Sequence, residues 1–193
     1  MVRVGFVVEG HCEKMLLESS HFRYWAGQHS IDICDPIINA RGGSNLCTKK
    51  IDASITECRV LANPDKIVVL TDLECDPCMT AVKERIGEKG VAQIVVAKKA
   101  LEAWFLADTV AMRSWLENDN FQGELTPEET PDMPWERLKE IGRNYHKNQR
   151  GPGSRKKRFA GKMINTYRFS IERAANHPQC PSAKYFLEKL QKL

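Results

Sequence analysis

Residues 66–78 read KIVVLTDLECDPC, and how this stretch is understood decides how the rest of the chain is understood. Its first part is apolar and β-branched, the composition of a short strand buried on both faces. It then turns abruptly into Asp72, Glu74 and Asp76, interleaved with Cys75 and Cys78. In an open parallel sheet, ligands bind beyond the carboxyl ends of the strands, which is where these acids would stand. Two chemistries compete for the segment. The Cys-x-x-Cys pair suits a soft metal or redox chemistry, and the carboxylates suit a hard divalent cation.

Outward from this strand, the same pattern recurs. VRVGFVV (2–8) reads as a first strand, IDICDPIIN (31–39) as a second, and VAQIVVA (91–97) as a fourth after 66–71. Pro36 marks the second as an edge strand or a bent one. Between the strands lie stretches of helical period: 11–28, a segment from a Ser44 or Asn45 cap to Leu61, a helix closed by Gly90, and 98–116. Asp76 reads as the cap of the third of these. Strands alternating with helices predict an α/β fold, a mainly parallel, Rossmann-like sheet flanked by helices. Residues 118–135 are polar and proline-containing, a connection; Pro134 opens a further helix, and 181–193 carry an apolar stripe that packs back. The expected organisation is an α/β core over 1–115 and a connection plus basic helical extension over 116–193, packed together.

Bulk properties narrow the class. The 193 residues are 42% hydrophobic and 28% charged, enough for a core and a solvated surface. No apolar run approaches the ~20 residues of a membrane span, and the N-terminal stretch reads as a strand rather than a signal peptide, so a cytoplasmic protein without a membrane partner is expected. The net charge of +4 is mild, but residues 137–168 are rich in Lys and Arg with Glu140 their one acid. That asymmetry points to a polyanionic partner. Seven cysteines in such a chain read as free thiols. The single Cys-x-x-Cys lacks the second pair that structural zinc requires, and neighbouring acids oppose thiolate reactivity, so local packing is its default reading.

The acids are better partnered. Glu9 follows the first strand, Glu13 comes one helical turn later, Asp72, Glu74 and Asp76 follow the third, and Glu102 follows the fourth. They converge at one sheet edge, where mutual repulsion calls for a cation, Mg²⁺ or Mn²⁺. Each has a plainer reading. Glu9 suits a helix N-terminus, Glu13 a solvated helix face, Asp72 and Glu74 the cap of the third helix, and Glu102 an ion pair with Lys98 or Lys99. Asp108 reads as a polar contact and Trp104 and Phe105 as core. His11 reads as a surface residue beside the motif.

The motifs V8-E9-G10, with Glu13, and T71-D72-L73-E74 resemble the TOPRIM domain of topoisomerases, primases and OLD-family nucleases, with Glu74 in place of the second Asp. The longer motifs V8-E9-G10-H11-C12-E13, D72-L73-E74-C75-D76-P77-C78 and E102-A103-W104-F105-L106-A107-D108, in that order, are more similar to a TOPRIM-like group of unknown function, the domain-of-unknown-function family 4276. The resemblance implies a compact α/β sheet. By similarity to the OLD-family nucleases it also implies that Glu9, Glu13, Asp72, Glu74 and Glu102 are the acids of a Mg²⁺ or Mn²⁺ site; Asp76, just beyond Glu74, is a further candidate metal ligand by its position alone. By similarity to the OLD-family nucleases, a lysine late in the domain assists: Lys157, or alternatively Lys162. The implied activity is metal-dependent cleavage of nucleic acid phosphodiesters, in the context of phage defence, with a separate ATPase or other protein as partner. Arg155, Lys156, Arg158 and Lys162 are the expected phosphate contacts, and Phe159 or Tyr167 the candidate base-stacking rings. The turn R41-G-G-S44 offers backbone N–H groups to an anion. The rival readings are a non-catalytic module binding nucleic acid or protein, and a metal-dependent phosphohydrolase of a small molecule.

Overall fold

The computed structural model describes residues 1–74 and 76–193. The strands are β1 (Val2–Val8), β2 (Ile31–Ile33), β3 (Ile38–Asn39), β4 (Lys66–Asp72) and β5 (Gln93–Ala97). They form one sheet in the order β2-β1-β4-β5, with every pairing parallel. The expected second strand is an edge strand in two pieces. β2 pairs with Val2–Val4, β3 pairs with Val7 and Val8, and Pro36, lacking an N–H, lies in the gap.

The sheet is covered on both sides, which is why its central strands are apolar without alternation. Val4, Phe6, Val8, Val68, Leu70, Val95 and Ala97 face one core, and Val7, Ile67, Val69, Ile94 and Val96 face another. The second core is closed by α3 (Ile51–Ala62) and α4 (Met79–Ile86). α3 lies so close that a Cβ on Gly5 would meet the Cys58 sulfur at 2.6 Å and Pro64 Cγ at 2.7 Å. The larger first core takes α1 (His11–Glu18), α2 (Ser20–Gln28) and α5 (Glu102–Ala107) together with α6 (Thr109–Leu116) and α7 (Pro134–Tyr145). It is completed by α8 (Lys156–Asn165), α9 (Ile171–Ala175) and α10 (Pro181–Leu190). Residues from both halves of the sequence therefore share one apolar cluster, with Phe186 stacked between Phe22 and Trp104.

Several helices differ from the periodic pattern, each for a local reason. The apolar period of 11–28 is carried by two helices, because Ser19 is extended and its Oγ caps α2 by accepting from Phe22 N. α3 starts at Ile51 rather than at Ser44 or Asn45, which sit in a turn of 3₁₀ helix. α4 stops at Ile86, before Gly87 rather than Gly90. Its cap is Cys78, whose sulfur accepts from Ala81 N at 3.4 Å; Asp76 is turned instead toward Arg85, at 3.1 Å. The stretch 98–116 breaks at Asp108 into α5 and α6.

Asp108 accounts for the end of the EAWFLAD motif. Fully buried, it accepts from Ala111 N, Ser170 N, Arg173 Nε and Arg173 Nη2 at 2.8–3.2 Å. It is thus the polar contact expected of it, joining α6 to α9. Asp108→Ala should cost about 3–5 kcal/mol of unfolding free energy, because it strands Arg173 and two backbone N–H groups. Urea denaturation measures this, and a loss under about 1 kcal/mol would contradict the account.

Candidate functional site

The parallel register brings the strand ends level. Val8 lies opposite Leu70 and Asp72 opposite Ala97, and Glu9 N continues the ladder by donating to Leu70 O at 3.0 Å. Glu9 is then carried to β4: its Oε2 accepts from the Thr71 hydroxyl at 2.5 Å and from Asp72 N at 3.1 Å. Asp72 in turn accepts from Leu101 N at 2.9 Å through Oδ1, which ties it to the approach to α5. Glu13 is buried at the start of α1, where Oε2 accepts from Gly10 N at 2.9 Å. Glu102, the first residue of α5, is 5% exposed and has Lys156 Nζ 3.5 Å away.

These four carboxylates line one cleft of about 470 Å³ together with Cys12, Lys156, Asn39 and Arg41. A smaller pocket of about 290 Å³ shares Glu9 and Asp72 and is completed by Ser44, Glu74, Asp76 and Arg85. Glu74 is exposed there whereas Glu9 and Asp72 are half-buried, and Asp76 is already paired with Arg85. The glycine turn 41–44 closes over Glu9. Gly42 N donates to Glu9 O at 2.8 Å, and a Cβ on Gly43 would come within 3.1 Å of Glu9 Oε1. That turn therefore shapes the acid site.

Packing the acids together has an electrostatic cost. Burial first, then the charges of Glu13, Glu102 and Glu9, push Asp72 well above the usual carboxylate range, against the opposing bond from Leu101 N. Glu13 is pushed up to about 7 by burial and then by Glu9 and Glu102, despite its backbone hydrogen bonds. The Cys12 thiol is pushed up to about 12 by burial and then by Glu13, Glu102 and Asp72. It is therefore protonated at neutral pH, and as a soft donor it is a poor match for a hard cation.

The donor set suits a hard cation: oxygen ligands from three strand ends, carrying more negative charge than Lys156 and Arg41 offset. Among the described residues, no group of three or more His, Cys, Asp and Glu side chains stands as a ready-made ion cage. Glu9, Glu13 and Asp72 each spend one oxygen on a neighbouring N–H or O–H. The oxygens available to an ion are the others, Glu9 Oε1, Glu13 Oε1 and Asp72 Oδ2. Cys75 lies outside the described residues; Cys78 has its place as the α4 cap.

Two sequence expectations are corrected, the ion pair of Glu102 and the stacking ring of Phe159. Glu102 does not pair with Lys98 or Lys99. Lys98 binds Glu129 at 2.9 Å, Lys99 reaches the carbonyls of Thr130 and Asp132, and Glu102 faces Lys156. Lys156 thus lies beside the acids, and Lys157 is exposed on α8 and lines neither cavity. Phe159 is no stacking platform: it is 2% exposed and packs edge-on against Phe105, Trp115 and Trp135. Thr71 and Cys12 were missed by the sequence reading. Thr71, a hydroxyl in an apolar strand beside Asp72, was a readable signal; Cys12 had none.

The raised Glu13 predicts a pH-dependent stability in the absence of divalent ions. Between about 4.5, its ordinary value, and about 7 the native state binds more protons than the unfolded chain. Stability is therefore whole below the lower value and falls as pH rises through the upper, by about 3 kcal/mol for this group. Glu13→Gln, measured by urea denaturation in chelator, should be more stable than the parent at pH 8 and no more stable at pH 4. Identical pH slopes in the two proteins would refute the assignment.

Compared with known proteins, the chain matches no family model, no curated protein and no solved structure.

Proposed function

We propose that the acid cleft holds Mg²⁺ or Mn²⁺ and that the protein is a metal-dependent, TOPRIM-like nuclease or phosphotransfer domain acting on nucleic acid phosphodiesters. The observation that carries this reading is the convergence of Glu9, Glu13, Asp72 and Glu102 on one cleft at the carboxyl edge of the sheet. Glu9 and Asp72 are the first ligands. They border both cavities, and a β4 hydroxyl and two backbone N–H groups set their orientation. Glu13 and Glu102 complete the acid side of the larger cleft; Glu74 and Asp76 border the smaller one.

A bound divalent cation would supply polarisation of a phosphoryl oxygen and a more acidic water. The chain's own groups do the rest. Glu13, between burial and neighbouring charge, is suited to exchanging a proton near neutral pH. Lys156, opposite Glu102 and near the Trp135 ring, is placed to balance charge on a phosphoryl group entering the cleft. The resemblance to OLD-family nucleases adds phage defence and a separate ATPase partner to the reading. The internal hydrogen bonds of Glu9, Glu13 and Asp72 favour one rival, a non-catalytic binding module in which these acids serve only to brace the strand ends.

Hydrolysis of a small diester, bis(p-nitrophenyl) phosphate, and of a labelled oligonucleotide separates them. Wild-type activity should require Mn²⁺ or Mg²⁺ and vanish in chelator. Asp72→Asn and Glu9→Gln should each lower kcat at least about 100-fold. Lys156→Ala should cost more than Lys157→Ala. Activity that survives both acid substitutions would refute the catalytic reading; no activity with any divalent ion would favour the binding module.

A further inference from the structure

α8 carries its cations on two different faces. Lys156 turns to Glu102 and the acid cleft. Arg155, Arg158 and Lys162, spaced i, i+3 and i+7, form one stripe along a separate groove of about 540 Å³ whose other wall is Gly151, Gly153 and Ser154. Phe159 is the floor. All three stripe residues are exposed. Among the described residues, the one ion pair made by any of these four cations is Lys156 with Glu102.

Three unpaired cations along one wall of a groove create a field that only an anion relieves. The helix adds to it: α8 opens with Lys156, Lys157 and Arg158, has no acid in its first turn and no side-chain cap on its first N–H groups. Length identifies the anion as a chain. Seven residues of helix span about 10 Å, the axial rise of about three nucleotides of one strand. With its one aromatic buried in the floor, the groove has no ring on which a base could stack.

We infer that Arg155, Arg158 and Lys162 form a track for successive backbone phosphates of a polynucleotide, read without regard to sequence, beside the cleft that acts on it. This deepens the proposed function and rests on it: the track makes the substrate a polymer rather than a small phosphorylated molecule. DNA and RNA share the backbone chemistry, and the probe decides between them.

The test is anisotropy of fluorescein-labelled 20-mers, single-stranded DNA, duplex DNA and RNA, in chelator across a salt series. It compares the full chain with the triple variant R155A/R158A/K162A, after circular dichroism has shown that the variant is folded. The variant should bind at least about tenfold more weakly at low salt, with the log–log salt slope reduced by about 3, one for each lost phosphate contact. Equal affinities and slopes would overturn the track. So would a wild-type protein that binds poly-glutamate as tightly as any 20-mer at the same salt, which would point to an acidic protein partner. If the variant will not fold, R158E alone, on an exposed position, must weaken binding and lower the salt slope by at least about 1. The acid-cleft reading is judged separately, by the effect of Asp72→Asn on the small diester, which does not need the track.

Discussion

The pairing of β1 with β4 is the constraint on which the rest depends. Parallel hydrogen bonds set Val8 against Leu70, so Glu9 leaves the sheet beside Thr71 and Asp72. Two carboxylates would not choose that proximity. The apolar cores on both faces of these strands hold them there, because shifting the register by a residue would turn every core side chain to the wrong face. Hydrogen bonds from Thr71, Asp72 N and Leu101 N then fix where the acids point.

The remaining acids are brought in by helix starts. Glu13 and Glu102 lie in the first turns of α1 and α5, where negative charge is favoured by the helix dipole and a neighbouring N–H can be satisfied. Each therefore has a local reason to be there, yet burial first, and then the field they build together, raises Asp72 and Glu13. A site whose parts are each locally satisfied is strained as a whole, and protons relieve it at low pH.

α8 joins this acid edge to the basic part of the chain. Its apolar side, Phe159, Ala160, Met163 and Ile164, is buried, and Gly161 lies close enough to Met15 for α1 and α8 to pack tightly. That leaves neighbouring cations facing different ways: one into the cleft, three along the groove. The connection 118–133 is anchored where it passes the end of β5, through Lys98, Lys99 and the buried Glu128, which accepts from Ser182.

Much of the fold was legible in the sequence, since a strand buried on both faces has no choice but a continuous apolar run. VRVGFVV, KIVVLT and QIVVA could be read directly, and with them the acids that follow each strand. Helix breaks were not legible, because apolar period persists across Ser19 and Asp108 while a single side chain interrupts the backbone. Partners at a distance were also hidden. Lys98, Lys99, Lys156 and Lys157 are equivalent as sequence, and sequence spacing favoured the first two for Glu102. Only the packing of α8 on α1 delivers Lys156 instead, while the loop 126–132 occupies the others. Composition and periodicity thus determined which residues are apolar strand, which are acid and which are base. Tertiary structure decided which charge meets which, because that depends on the direction in which each helix presents its side chains.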